Sequence, residues 1–166
     1  MADMLVNLYD VSADDELAAR LAADGVRIER ALAADSRRVI SFIERSAADW
    51  PGDPRDNWAG ECSVALAQQP STCFIAVQGR EVVGFACYDA TAKGYFGPTG
   101  VTIDHQGRGI GRALLIATLL AMREAGYGYG IIGWPAPDAI AFYERAVNAQ
   151  LITGATTDVY SRLTDH

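Results

Sequence analysis

A glycine-dense turn lies near the middle of the chain, where Gln106-Gly107-Arg108-Gly109-Ile110-Gly111 follows the apolar stretch 101–103. Glycine has no side chain, so its backbone can approach a ligand closely. The apolar spacing after residue 109 predicts a helix, and the free amides of a helix's first turn carry about half a positive charge. The turn is therefore predicted to bind an anion, and a phosphate or pyrophosphate is the best match.

Two common nucleotide-binding motifs do not fit this turn. A dinucleotide fingerprint that starts at Gly107 or Gly109 ends on glycine or alanine, but the chain has Arg112 or Leu114 at that position. A P-loop needs a lysine followed by serine or threonine, and the only lysine of the chain is Lys93. The spacing excludes both motifs.

The turn does fit the pattern Q/R-x-x-G-x-G/A between a strand and a helix, and here the chain resembles the GNAT superfamily of N-acetyltransferases. The resemblance runs from about Val26 to the C-terminus and implies acetyl-CoA as co-substrate. It implies that backbone amides of the turn hold the pyrophosphate, while the main chain of the preceding strand pairs with the pantetheine arm. The side chains of Arg108 and Arg112 either add charge contacts or are solvated surface groups. The implied cofactor-binding residues are Val101, Thr102, Ile103, Gln106, Gly107, Arg108, Gly109, Ile110, Gly111 and Arg112.

A second block, Ala139-Ile140-Ala141-Phe142-Tyr143-Glu144-Arg145, is similar to the family's A-x-x-F/L-Y-E-K segment. The resemblance implies that Tyr143 is a catalytic residue that protonates the departing CoA thiolate. A phenol with a pKa near ~10 can do so within hydrogen-bond reach. The alternative is an aromatic core residue. The usual Gly-Phe after this helix is replaced by Asn148-Ala149, and the usual Asn before it is replaced within 134–137.

Acetyl transfer to an amine also requires a neutral nucleophile and a polarised thioester carbonyl. A backbone N–H near residues 101–103 is the expected carbonyl donor. Deprotonating an ammonium of pKa about 10.4 at pH 7 costs about 4.6 kcal/mol, so a base is useful. The candidate bases are Glu61, Asp89, Asp104 and His105; their spacing does not single out any of them, and a surface or capping role is the more common one for each. The loop between Trp50 and Trp58 is the expected roof over the acceptor.

The charge balance narrows the partners. The chain has 166 residues with 21 acidic and 14 basic side chains, for a net charge of −7, which disfavours nucleic-acid binding. No apolar run reaches the ~18 residues of a membrane span, and residues 1–10 do not resemble a signal peptide, so we expect a cytoplasmic protein with no membrane partner. Cys62, Cys73 and Cys87 are widely spaced, which favours reduced core thiols over a metal site or a disulfide framework.

The elements around these motifs predict one α/β domain with a mixed sheet covered by helices. The resemblance adds that the sheet is mostly antiparallel and splayed at the cofactor strand. It divides the chain into a strand–helix extension over 1–25 and an acetyltransferase domain over 26–166. The predicted strands are 5–9, 26–32, 72–77, 82–89, 95–103 and 129–134, with weaker segments near Leu151 and Val159. The predicted helices are 14–23, 34–48, 56–69, 109–125 and 137–147.

Three functions remain possible at this point. The first is an N-acetyltransferase acting on a small-molecule or peptide amine in a ternary complex, without a metal and with a homodimer left open. The second is a non-catalytic sensor that binds acetyl-CoA. The third is a structural α/β module whose glycine turn binds nothing. The sequence does not identify the acceptor amine.

Overall fold

The computed structural model describes residues 2–50, 52, 56–155 and 157–164. Its strands are β1 (Met4–Asn7), β2 (Val26–Arg30), β3 (Cys73–Gln78), β4 (Glu81–Tyr88), β5 (Tyr95–Val101), β6 (Tyr129–Ile132) and β7 (Gln150–Leu151). Its helices are α1 (Asp15–Ala23), α2 (Ser36–Ser46), α3 (Trp58–Leu66), α4 (Ile110–Glu124) and α5 (Ile140–Val147). None of the described helices is long and apolar enough to cross a membrane.

The described strands form one mixed sheet in the order β2-β3-β4-β5-β6-β1-β7. Among the described pairings, β5 with β6 is parallel and the others are antiparallel. The β3–β4 pair is a hairpin whose connection contains Gly79 at φ +63°, a conformation that glycine adopts without steric cost. The predicted fold class, a mostly antiparallel sheet covered by helices, is confirmed.

The sheet has an apolar core on each face because side chains alternate along a strand. In β3, Cys73, Ile75 and Val77 belong to a core formed with α2 and α3, whereas Ala76 belongs to the core formed with α1, α4 and α5. Helix α4 is buried along most of its length, since Leu114, Leu115, Leu119 and Met122 are almost inaccessible. The N-terminal end of this long helix is therefore held rigidly beside the sheet.

The N-terminal segment belongs to this same sheet. Strand β1 lies between β6 and β7, with Met4 opposite Ile132 on one side and Leu151 on the other. Helix α1 begins where the Asp14 carboxylate accepts the Leu17 amide at 3.0 Å, as is typical of an N-cap. The predicted start of this helix is confirmed, and the extension is built into the sheet and its helical layer.

Several element boundaries differ from the predictions because side chains redirect the backbone. The first strand ends at Asn7, whose side chain accepts the Tyr9 amide and opens a short 3-10 turn. The segment near Val159 is not a strand: Asp158 caps a 3-10 turn, accepting the Ser161 amide at 2.9 Å. Capping residues stabilise such turns locally and compete with strand pairing.

Candidate active site

The sheet opens between β5 and β6. Among the described residues these strands pair through Tyr95 with Ile131 and Phe96 with Ile132, after which β5 has no strand partner on that side. Gly97, the next residue, has φ +116°. The widening gap leaves a cavity of about 630 Å³, lined on the β5 side by Pro98–Val101 and elsewhere by Ile132, Gly133 and Tyr143. The predicted splay is confirmed, and it leaves the inner main chain of β5 accessible from the cavity.

The glycine turn lies at the end of the splayed strand. Gly107 and Gly109 have φ of +76° and +89°, and Gly109 is the N-cap of α4. No side chain of the described residues caps the first turn of α4, and the amides of such a turn are the groups that an anion would bind. The Gln106 side chain donates from Nε2 to the Val101 carbonyl oxygen at 3.1 Å and so ties the turn to β5.

Helix α1 packs against this turn, which sequence reasoning did not foresee. Arg112, in the first turn of α4, forms an ion pair with Asp14. The Leu17 amide and Arg112 together hold the pKa of Asp14 below its usual value. Arg20 donates from Nη1 to the Arg108 carbonyl oxygen at 2.9 Å. The Arg112 guanidinium is therefore held by a carboxylate, while Arg20 brings a different positive charge to the turn.

Tyr143 lies on α5 and lines the cavity. Its side chain is buried, with edge-on ring contacts to Phe96 and Phe142. No described residue forms a hydrogen bond with its hydroxyl. Burial raises the pKa of Tyr143 to about 12. Tyr143 therefore packs in the core and also lines the cavity, and its role as a catalytic residue stays a prediction.

Glu61 stands apart from the other candidate bases. Its half-buried carboxylate accepts a hydrogen bond from Thr91 Oγ1 at 3.1 Å, and burial raises its pKa. Its charge also acts on Tyr160, which lines the cavity: burial first, and then Glu61, raise the pKa of Tyr160 to about 12. Glu61 is therefore within electrostatic reach of the cavity wall.

The remaining candidate bases have other roles or positions. Asp89 accepts the Tyr127 hydroxyl at 2.8 Å and the Gly94 amide at 2.7 Å, so it braces a loop. The His105 ring nitrogens lie 2.9 Å from Thr102 Oγ1 and 2.8 Å from Gln78 Oε1. Asp104 is exposed in the same 3-10 turn as His105. In the described part of the chain none of these three lines the cavity, and neither does Glu61, which differs from them in its electrostatic effect on Tyr160.

Aromatic rings line the cavity beside the predicted acceptor roof. Trp50 and Trp58 pack with ring centroids 5.3 Å apart, and Trp134 stacks on Tyr160 at 4.8 Å. Trp50 donates from Nε1 to the Val101 carbonyl oxygen at 3.0 Å. The two ends of the predicted roof thus line the cavity, while residues 51 and 53–55 lie outside the described residues.

The charged side chains that line the cavity in the described part of the chain are acidic. Asp56 and Asp138 line the cavity, and no described lysine, arginine or histidine does. Glu61 lies close enough for Asp56 to contribute to its raised pKa, after burial. A positively charged acceptor would therefore be attracted to this wall.

The three cysteines converge, although their spacing gave no indication of it. Cys62 on α3, Cys73 on β3 and Cys87 on β4 are buried, and their sulfurs all lie within 4.8 Å of one another. Cys73 and Cys87 are directly opposite in the β3–β4 register. They pack in the apolar core beneath α2 and α3, as free thiols.

Comparisons with known proteins agree with this geometry. The model of the Acetyltransferase (GNAT) family matches residues 33–148, which is more than half of the chain. A search of curated proteins gave no match.

Among solved structures, one similar fold is the GCN5-related glucosamine N-acetyltransferase region of a fungal multi-domain GH3 beta-N-acetylglucosaminidase, with TM-score 0.70, 15% identity, and coverage of 91% of this chain and 19% of that one. A GCN5-related N-acetyltransferase from Sphaerobacter thermophilus has a TM-score of 0.62 and 20% identity, and the match covers 91% of this chain and 48% of that one. A GNAT family acetyltransferase from Brucella melitensis in complex with acetyl-CoA has a TM-score of 0.58 and 17% identity, and the match covers 81% of this chain and 92% of that one. At these identities the likeness concerns the fold, and the chain spans less than half the length of the first two structures. On the family match, the chain belongs to the GNAT acetyltransferase family.

Proposed function

We propose that this protein transfers an acetyl group from acetyl-CoA to an amine by direct attack in a ternary complex. Family membership supports acetyl transfer from acetyl-CoA in general. The observation that carries the specific proposal is the splay between β5 and β6, since the cavity it leaves is lined both by Gln106, the first residue of the glycine turn, and by the buried Tyr143.

The chain's own groups suit the two parts of acetyl-CoA. The uncapped first turn of α4, which follows Gly109, would offer its backbone amides to the pyrophosphate, whereas the Gln106 amide already donates to the Ile103 carbonyl oxygen. The inner edge of β5 has no strand partner beyond Phe96 among the described residues. The Val101 carbonyl oxygen already accepts from Gln106 Nε2 and Trp50 Nε1, so the other main-chain groups of this edge are proposed to pair with the pantetheine amides, in the manner of strand addition. A backbone N–H on this edge would also polarise the thioester carbonyl.

Tyr143 is proposed as the general acid. In the reaction the amine nitrogen bonds to the acetyl carbon, the carbon–sulfur bond breaks, and sulfur takes the electron pair. Tyr143 donates its proton to that sulfur, so a neutral thiol leaves, and the proton that the nitrogen loses as the amide forms restores the phenol. With a pKa of about 12, the phenol stays protonated throughout the neutral range and is available at each turnover.

Glu61 is proposed to receive the proton that the acceptor amine must lose, through an intervening water. Its raised pKa makes it a better base than an exposed carboxylate. Tyr160 and Asp56 both line the cavity and both interact electrostatically with Glu61. Their side chains are polar and could hydrogen-bond such a water. The acidic wall also favours acceptors that arrive as cations.

The test is thiol release from acetyl-CoA across matched amines. We expect an alkyl diamine to react faster than an amino acid of the same chain length, because the carboxylate of the amino acid is repelled by Asp56 and Asp138. Acetyl-CoA binding is measured alongside by thermal shift. Binding without thiol release for any amine would favour the sensor, and no stabilisation at millimolar acetyl-CoA would favour the structural module.

A further inference from the structure

Helix α1 lies outside residues 33–148, yet it forms part of the wall of the glycine turn. A Cβ placed on Gly109 would lie 2.7 Å from Leu17 Cδ1 and 3.0 Å from Arg20 Nη2. Leu17 is buried and anchors α1 there, while Arg20 is exposed beside the turn. The guanidinium of Arg20 is thus fixed next to the N-cap of α4, whose amides are proposed to hold the cofactor pyrophosphate.

Arg20 has donors to spare. One of its five N–H groups is used on the Arg108 carbonyl oxygen, at 2.9 Å. No described carboxylate lies within ion-pair distance of Arg20. Arg112 is different, because its guanidinium is paired with Asp14. Arg20 forms no ion pair with a described carboxylate, although its charge contributes to the lowered pKa of Asp14, the partner of Arg112.

The hydrogen bond from Arg20 to the Arg108 carbonyl oxygen also has an electrostatic effect. A carbonyl oxygen that faces an anion site repels the anion, and a guanidinium bonded to that oxygen offsets the repulsion. Arginine binds phosphate oxygens through a planar set of donors, which allows it to keep the carbonyl and contact a phosphate at the same time.

We propose that Arg20 of the N-terminal helix binds a phosphate group of coenzyme A at the glycine turn. The inference rests on the proposed function, because it assumes that acetyl-CoA binds at this turn. It assigns to a helix outside the matched family region a direct part in cofactor binding.

The experiment measures dissociation constants by calorimetry for acetyl-CoA, 3′-dephospho-acetyl-CoA and acetyl-pantetheine, which lacks all the phosphates. The proteins are the wild type, Arg20→Gln, Arg20→Lys and the control Arg38→Gln. Arg38 is a matched exposed arginine whose described partner is Asp35, at the start of α2. Thermal unfolding without ligand shows that each variant is folded.

We expect Arg20→Gln to weaken acetyl-CoA binding about tenfold, as for loss of one charged contact at an accessible site. Acetyl-pantetheine binding should not change, Arg20→Lys should restore part of the affinity, and Arg38→Gln should behave as wild type. A loss retained with the 3′-dephospho compound assigns the contact to the pyrophosphate. A loss confined to acetyl-CoA assigns it to the 3′-phosphate. Both support the proposal.

Two results would overturn it. Equal weakening of acetyl-CoA and acetyl-pantetheine would mean that Arg20 only holds the fold, and unchanged acetyl-CoA affinity in Arg20→Gln would mean that it binds nothing. A wild type that does not bind acetyl-CoA would refute the proposed function itself. Failure of the proposed function is thus read from the wild type, and failure of the inference from the variants.

Discussion

Asp14 caps helix α1 and at the same time forms an ion pair with Arg112 in the first turn of α4. The carboxylate thus stands beside the amides proposed to hold the cofactor pyrophosphate. It both repels that anion and holds an arginine that could otherwise reach it.

Replacing Asp14 by asparagine should therefore tighten cofactor binding. Asparagine is as good an N-cap as aspartate, so α1 should remain intact while Arg112 is released. We expect Asp14→Asn to bind acetyl-CoA about threefold more tightly in low salt, with the gain reduced in high salt by screening. The comparison variant Asp14→Ala loses the cap and should also unfold at a lower temperature. Weaker acetyl-CoA binding by the stable Asn variant would contradict the expectation.

The Tyr143 hydroxyl should matter to turnover and not to cofactor binding. Tyr143→Phe keeps the ring contacts with Phe96 and Phe142 but removes the proton donor. We expect kcat to fall about 100-fold, as for loss of a general acid, with an unchanged dissociation constant for acetyl-CoA. Since the pKa of Tyr143 is about 12, the wild-type rate should show no loss of this acid between pH 6 and 10. A kcat equal to that of wild type would remove Tyr143 from the mechanism.

Glu61 should control the acidic side of the pH profile. Its pKa is raised by burial, so kcat/KM should fall as pH drops through this raised value. Glu61→Gln should lower kcat/KM at neutral pH and abolish that limb of the profile. Glu81→Gln, at an exposed carboxylate on β4, is the control. A Glu61→Gln profile identical to wild type would exclude Glu61 as the base.

The raised pKa of Glu61 also predicts that the free energy of unfolding depends on pH. A carboxyl group whose pKa is higher in the folded state than in the unfolded state favours folding when it is protonated. That contribution is full below the unfolded pKa and is lost as pH rises through the folded one. The charged Glu61 is thus a stability cost at pH 7, and Glu61→Gln should unfold at a higher temperature there. The difference should shrink in acid, which a series of thermal melts can follow.

Gly100 is required by the packing of Trp50. A Cβ on Gly100 would lie 2.7 Å from the Trp50 ring, so Gly100→Ala should displace the indole and break its bond to the Val101 carbonyl oxygen. We expect a loss of about 1–3 kcal/mol in the free energy of unfolding, with a shift in tryptophan fluorescence. Adding Trp50→Phe should recover part of this loss, because the smaller ring leaves room for the methyl group. An additive double variant would contradict the packing argument.

The glycine turn could be predicted from the sequence because its determinants are local. Gly107 and Gly109 adopt positive φ, and the strand and helix that flank them have distinct apolar patterns. The same holds for Tyr143, which stands in a short block on one helix. Both positions follow from a few neighbouring residues.

The contacts of α1 with the turn could not be predicted, because they join distant parts of the chain. Arg20 and Arg108 are separated by 88 positions, and Asp14 and Arg112 by 98. The choice of Glu61 over Asp89 and His105 also depended on tertiary structure, since all three occur in unremarkable local sequence. Only packing shows that Asp89 and His105 are engaged by partners away from the cavity.

The position of β1 in the sheet affects the order in which the chain can fold during synthesis. Met4 pairs with Ile132 and with Leu151, so β1 is completed by residues that follow it in the chain by 128 and 147 positions. Contacts at such sequence separations slow folding, because the long intervening chain must be closed before they form. The hairpin of β3 and β4 can assemble early, while β1 must stay unpaired until β6 and β7 leave the ribosome. During that interval the apolar residues of β1 are a natural target for chaperones.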